Sequence, residues 1–518
     1  MDYTGNSEES QQLILEHGHR DRADSRQASV EGERDNQVIN GFTLSLAEGA
    51  EELVSLAKVT CPFLMTSMLM YSRSMTSLYF LGRLGKVELA GGALALAFAN
   101  VTGFSIIKGL SVGMDPICSQ AFGAKRWAVI GQTYLKTVCL LLLASIPISC
   151  LWLNAEPLFL VLGQDSEIIR VANVYLACLI PELIAQAHLH PLRCFLRCQG
   201  KTTPFTIAST CCVVLHLPIN YLLAVHLNLG VKGVALAFAC STLNLNAALI
   251  LYLILSDSPL KPWDKTTFQS IFRGWKPLLD LAIPTVVGVC LEWWWYELML
   301  FLSGLLDNPQ SSIAATGILI QTTGLLYNVP YSLSAGLTAR VGNALGAGQP
   351  SRAQWATIIG ILLAFVFGLV AFIFTIMVRS VWGRLFTGES QILDLISTAL
   401  PLLGLCELGN APQTAACGVL TGIARPTIGA RINLFAFYLV GAPVAVVLTF
   451  TFKFGFSGLW LGLASAQGSC VCMMLYFLFK TDWTQQVKKA KELTIAAGHE
   501  DDDLEASFIV SDDHSHTT

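Results

Sequence analysis

Glu292 and Glu297 stand in the run Cys290-Leu291-Glu292-Trp293-Trp294-Trp295-Tyr296-Glu297. They are the only charges between Leu281 and Leu306. An acid near the middle of a bilayer costs at least ~2.5 kcal/mol to insert and marks an ion or substrate pathway. Desolvation favours the neutral form of a carboxyl group, so such an acid can take a proton from one side and release it to the other. Glu292, near the centre of the run, is the first candidate for this chemistry; the alternative is an acid satisfied by a neighbouring helix. Glu297 lies about 140° further around a helix, so the two cannot face one cavity squarely. It stands between site and structural partner.

A second polar stripe is formed by Glu407, Asn410 and Gln413, spaced by three and hence on one helix face. Pro412 is expected to open that helix and free backbone carbonyls beside the stripe. The corresponding region of the first half holds Pro181, Glu182 and Gln186. Both groups read either as cavity-lining residues or as interhelical hydrogen-bonded glue. Trp293, Trp294 and Tyr327 can face an aromatic substrate or a cation; lipid-facing or packing roles suit them equally. Arg73 is expected to snorkel toward an interface. His188, His190, Cys194 and Cys198 have suggestive spacings, but nothing completes a zinc pattern. Neither a phosphate-cradling loop nor a nucleophile elbow is present.

The elements that must carry these residues follow from composition. Of 518 residues, 53% are apolar and only 13% charged, with a mean hydropathy of +0.57. Soluble domains carry about 25% charged residues, so a water-soluble protein is excluded. A net charge of −4 gives no footprint for nucleic acid. The 15 cysteines sit mostly in apolar runs and read as free thiols.

Twelve apolar blocks long enough to span a bilayer run over 53–81, 88–114, 129–153, 167–190, 203–226, 230–256, 277–306, 311–339, 354–381, 390–420, 427–450 and 455–479. Pro181, Pro191, Pro401 and Pro412 are expected to interrupt the fourth and tenth. With a cytosolic N-terminus, the cytosolic loops hold thirteen Lys and Arg, Arg193 and Arg197 among them, against seven on the other side. That bias places both termini in the cytosol. Residues 1–45 and 483–518 are polar and charge-mixed, and are expected to be disordered cytosolic tails. Glu9 to Ile14 is similar to an acidic dileucine sorting signal.

The chain also repeats itself. Gly113, Gly123 and Ala124 recur 223 residues later as Gly336, Gly346 and Ala347. Pro218, Gly230 and Gly233 recur 225 later as Pro443, Gly455 and Gly458, and Glu182 and Glu407 are also 225 apart. Each repeat has six spans, so the copies are expected to be related by a two-fold axis along the membrane normal, with a cavity between them. The expected architecture is an all-α membrane protein of twelve helices in two six-helix lobes, 46–256 and 277–482, joined by a cytosolic loop over 257–276.

Three motifs resemble the multidrug and toxic compound extrusion family, in its plant branch: Pro116 to Ala124, Cys290 to Glu297, and Glu407 to Gln413. The resemblance covers about residues 45–485. It implies a two-lobe exporter of small organic compounds driven by an inward proton or sodium gradient, with proton coupling in the plant branch. By position it makes Glu292 the transport acid of the seventh helix and Glu297 the second acid of that motif. The family's tenth-helix acid falls on Asn410, a departure that Glu407 can compensate from one turn away. The first-helix Asp of prokaryotic members is absent, which places proton binding in the second lobe. Thr421 stands where an Arg is common, and Ala344 where an acid is.

The sequence therefore points to an antiporter, not an enzyme, that exports a small organic substrate from the cytosol in exchange for protons. Glu292, Glu297 and Glu407 are the coupling residues. Asn410, Gln413, Trp293, Trp294, Tyr327, Glu182 and Gln186 are the substrate-facing ones. No cofactor or metal is expected beyond the proton as coupling ion, nor a nucleic-acid partner. The chain is expected to act as a monomer in the bilayer of a vacuolar, endosomal or plasma membrane. The alternatives are a lipid flippase, which needs several Lys and Arg lining the cavity, and a polytopic membrane enzyme.

Overall fold

A polypeptide in hydrocarbon must satisfy its backbone hydrogen bonds internally, and the apolar blocks do so as helices. The computed structural model describes residues 49–161, 165–256 and 274–498, and no strand occurs among them. The first six long helices are α1 (Gly49–Leu84), α2 (Lys86–Gly123), α3 (Trp127–Leu153), α4 (Ser166–Cys198), α5 (Thr203–His226) and α6 (Val231–Leu255). The second half contributes α7 (Lys276–Ser303), α8 (Pro309–Gly346), α9 (Pro350–Val378), α10 (Ser390–Gly422), α11 (Pro426–Thr451) and α12 (Phe456–Phe479). Eleven of these are long and apolar enough to cross a membrane. The twelfth, α8, is 38 residues long and falls short only because Ser, Thr, Gln, Asn and Gly punctuate it. On α9 the exposed face is Leu362, Val366, Leu369, Val370, Ile373 and Met377, which only lipid can cover favourably.

The repeat reaches down to the backbone. Left-handed φ angles at Lys125, Gly200, Asn228 and Gly230 recur at Gly348, Ala424, Lys453 and Gly455, shifted by 223 to 225 residues. Each half also builds its own cores. Trp152, Phe159 and Tyr175 anchor one in the first half, and Trp295, Phe437 and Trp460 one in the second.

Three features depart from the sequence expectations. Helices α4 and α10 run unbroken for 33 residues each, through Pro181 and Pro191 and through Pro401 and Pro412. A proline deletes one hydrogen bond, and in a packed membrane helix neighbours absorb that loss; Pro191 and Pro412 are buried against such neighbours. Consequently α4 carries Arg193 and Arg197 inside the protein instead of on a loop. Residues 483–497, expected as disordered tail, form α13 (Trp483–Ala497). The Asp482 side chain caps it by accepting from Gln485 N, and Gln486, Ala490, Thr494 and Ala497 are buried at helical spacing. It packs on α2, α3, α7, α8 and α9. The tail expectations for 1–45 and 499–518, and the loop over 257–273, lie outside the described residues.

The C-terminal ends of α2, α4, α8 and α10 meet one another. Gln120 Nε2 donates to the Gly422 carbonyl (2.8 Å), and Asn343 Nδ2 to the Cys198 carbonyl (3.1 Å). Helices α2 and α8 cross in backbone contact. A Cβ on Gly123 would fall on the Asn343 carbonyl, and one on Gly346 on the Gln120 carbonyl. This end of the bundle is shut.

Candidate functional site

A cavity lies between the two halves, lined by α2, α4, α7, α8, α10 and α11, with about 1080 Å³ of empty space counting its mouth. Its walls carry Lys108 and Asp115 of α2, and His190, Arg193 and Arg197 of α4. The second half contributes Glu292 and Trp293 of α7, Tyr327 and Tyr331 of α8, Thr414, Cys417 and Thr421 of α10, and Asn433 of α11. The three consecutive tryptophans step about 100° around α7 and meet three environments. Trp293 faces the cavity. Trp294 is exposed, its indole N–H donating to the Val101 carbonyl at 3.4 Å. Trp295 is fully buried against Phe437.

The charges of the cavity are arranged unequally. Arg197 is paired with Asp115. The Arg193 guanidinium is held between the rings of Phe63 and Phe205, at 5.0 and 4.9 Å. The Lys108 ammonium stands over Tyr331 and Trp293, at 4.2 and 4.7 Å, and Tyr331 stacks on Tyr327. Among the described residues, neither Lys108 nor Arg193 has an acidic partner, and Glu292 makes no hydrogen bond or ion pair. Lys108 lines the same cavity as Glu292.

Of the residues expected at the site, Glu292, Trp293 and Tyr327 come together in the cavity, and the others do not. Glu297 is exposed on the far side of α7, as its spacing dictates. Glu407, Asn410 and Gln413 are buried inside the second half, behind the wall to which Thr414 and Cys417 belong. There Asn410 Nδ2 donates to Glu407 Oε2 at 3.0 Å, while Glu407 Oε1 and both amide atoms of Gln413 have no protein partner.

Glu182 and Gln186 lie inside the first half, away from the cavity lining. Glu182 Oε1 accepts from Arg73 Nη2 (3.3 Å), Thr242 Oγ1 (2.9 Å) and Gln186 Nε2 (2.7 Å). Arg73 is therefore buried, with its guanidinium 3.9 Å over Phe238. It does not snorkel, because Glu182 supplies a partner within the lobe. His188 bonds to Tyr134 and Asn246, and among the described residues no three His, Cys, Asp or Glu are placed to hold a metal.

Sequence reasoning missed Arg193 and Arg197 by ending the fourth helix near Pro191. It missed Asp115, one residue past the end of the second apolar block, because the acid's neighbour Pro116 reads first as motif.

The MatE family model matches this chain twice, over residues 62–222 and 284–447. The chain belongs to the MatE family. The two matches begin 222 and end 225 residues apart, the period of the internal repeat. Protein DETOXIFICATION 53 of Arabidopsis thaliana is 59% identical over 89% of this chain and 96% of its own length. Protein DETOXIFICATION 49 of the same plant is 51% identical over 90% and 93%. Among solved structures, the eukaryotic MATE transporter AtDTX14 superposes with a TM-score of 0.83, at 31% identity, covering 86% of this chain and all of that one. A Vibrio cholerae MATE transporter shares the fold at a TM-score of 0.73 and 16% identity, over 87% of this chain and 99% of its own. This MatE protein is thus a multi-pass membrane transporter whose cavity lies between its two repeats.

Proposed function

We propose that this chain exports small organic compounds from the cytosol in exchange for protons, with Glu292 as the proton carrier. One observation supports this above the others. Glu292 is the carboxyl group of the cavity wall left without a hydrogen bond or ion pair among the described residues, whereas Asp115 is committed to Arg197. An acid in that position is free to alternate between proton and substrate. Antiport requires that proton loading and substrate occupancy favour different states. Glu407 lies behind the wall and shapes the field at Glu292, with Asn410 in support; Glu297 plays a secondary part. The shut end, where even-numbered helices finish, faces the cytosol with both termini, under a charge bias that is eleven to seven once Arg193 and Arg197 are taken off the loop. The export is into an organelle or out of the cell, and the chain works as a monomer. Substrate-dependent proton flux in proteoliposomes tests this. Acidification coupled to counter-movement of substrate is expected, and substrate flux with no proton movement would overturn it.

The basic residues Lys108, Arg193 and Arg197 on the wall favour a second reading, a lipid flippase, which needs cations for lipid phosphates. Transfer of a fluorescent phospholipid between leaflets by the purified protein would establish it in place of export.

A further inference from the structure

Two charge types are left open in the cavity, and they lie on opposite repeats. Arg193, on α4 of the first repeat, is fixed by Phe63 and Phe205 and has no acidic partner among the described residues. Lys108, on the same repeat, lines the same cavity, over Tyr331 and Trp293. Glu292, on α7 of the second repeat, is likewise unpaired. Cations left inside a low-dielectric cavity demand an anion, and a carboxylate left there demands a cation or a donor. Trp293, Tyr327 and Tyr331 line the same cavity and supply aromatic surface for an apolar body.

We infer that the cavity takes a dipolar aromatic substrate, with an acid group at Arg193 and Lys108, an amine at Glu292 and the ring against Tyr331 and Trp293. With the acid at Arg193 and Lys108 and the amine at Glu292, every open charge of the cavity has a partner. The amine end also gives antiport its sign. A proton on Glu292 removes the counter-charge of the amine, so proton and substrate oppose one another. A purely anionic substrate would instead bind better when Glu292 is protonated. The inference rests on the exporter reading, and equilibrium binding separates the two because it involves no gradient.

Three probes of one shape make the test: 4-(aminomethyl)benzoate, 4-methylbenzoate, which lacks the amine, and 4-methylbenzylamine, which lacks the acid. Their affinities are measured by calorimetry on the full-length chain in nanodiscs. The dipolar probe is expected to bind at least tenfold tighter than either of the others. Glu292→Gln should cost the dipolar probe about tenfold and leave 4-methylbenzoate bound at least as tightly. Arg193→Gln should cost both acids about tenfold and spare the amine, and Arg193→Lys should restore much of the loss. The inference is overturned if either singly charged probe equals the dipolar one, if no probe binds, or if Arg193→Gln leaves both acids unchanged. A parent chain that binds the three probes as expected yet shows no proton-driven flux would overturn the antiport reading and leave this one standing.

Discussion

Replacing Glu182 by Met separates a structural acid from a transport acid. Glu182 is fully buried and Arg73 is 5% exposed. Three donors converge on one carboxylate oxygen: Arg73 at 3.3 Å, Thr242 at 2.9 Å and Gln186 at 2.7 Å. Removing the carboxylate leaves a guanidinium in the protein interior with Thr242 Oγ1 and the Phe238 ring as its remaining contacts. Breaking a buried pair from one side costs about 3–5 kcal/mol, and Arg73→Met should cost a similar amount. Replacing both partners by residues of similar volume is often neutral. The double variant should therefore lie within ~1 kcal/mol of the parent, several kcal/mol better than the sum of the singles. Thermal unfolding of the purified protein in nanodiscs, followed by tryptophan fluorescence, reads all four corners of the cycle. Single variants that unfold with the parent, or a double variant as damaged as the sum, would refute the reasoning. So would a stable double variant without transport, because Glu182 would then act on substrate.

Gly346→Val places a side chain on the Gln120 carbonyl where α2 and α8 touch. It should cost about 1–3 kcal/mol of overpacking and hold that end open, read as increased labelling of a cysteine introduced at Ser119 from the cytosolic side. Removing residues 499–518 should leave folding and flux unchanged. Ala490→Asp, by contrast, puts a charge where α13 is 2% exposed and should destabilise by at least ~1–3 kcal/mol, seen as a lower unfolding temperature. Trp152→Ala, which removes a fully buried ring and its N–H bond to Thr102 Oγ1 at 3.0 Å, should cost about 3–5 kcal/mol in the same assay.

The twelve helices were legible because hydrocarbon imposes a single rule, a long apolar run. The repeat was legible because residues such as Pro218, Gly230 and Gly233 recur as Pro443, Gly455 and Gly458, with Gly230 and Gly455 both held at left-handed φ. What the sequence hid was orientation within each helix. Trp293, Trp294 and Trp295 read alike as letters but divide into cavity, surface and core. Glu182 and Arg73 are 109 residues apart, and nothing local announces their pairing. Arg193 and Arg197 were counted as loop charges because prolines were given more power to end a helix than a packed membrane bundle allows. The α13 helix was recoverable: Asp482 is a good cap, and the buried positions after it follow a helical period. High local charge, from Lys488, Lys489, Lys491 and Glu492, masked that pattern as disorder.

The most direct measurement is substrate efflux from proteoliposomes against an imposed pH gradient, comparing the parent with Glu292→Gln, Glu297→Gln and Glu407→Gln. Glutamine keeps the size and hydrogen bonding of the acid but cannot titrate. Glu292→Gln is expected to fold, reach the bilayer and lose gradient-driven efflux, while the Glu297 and Glu407 variants retain part of theirs. Full gradient-driven efflux by Glu292→Gln would contradict the assignment and move the proton to Glu407.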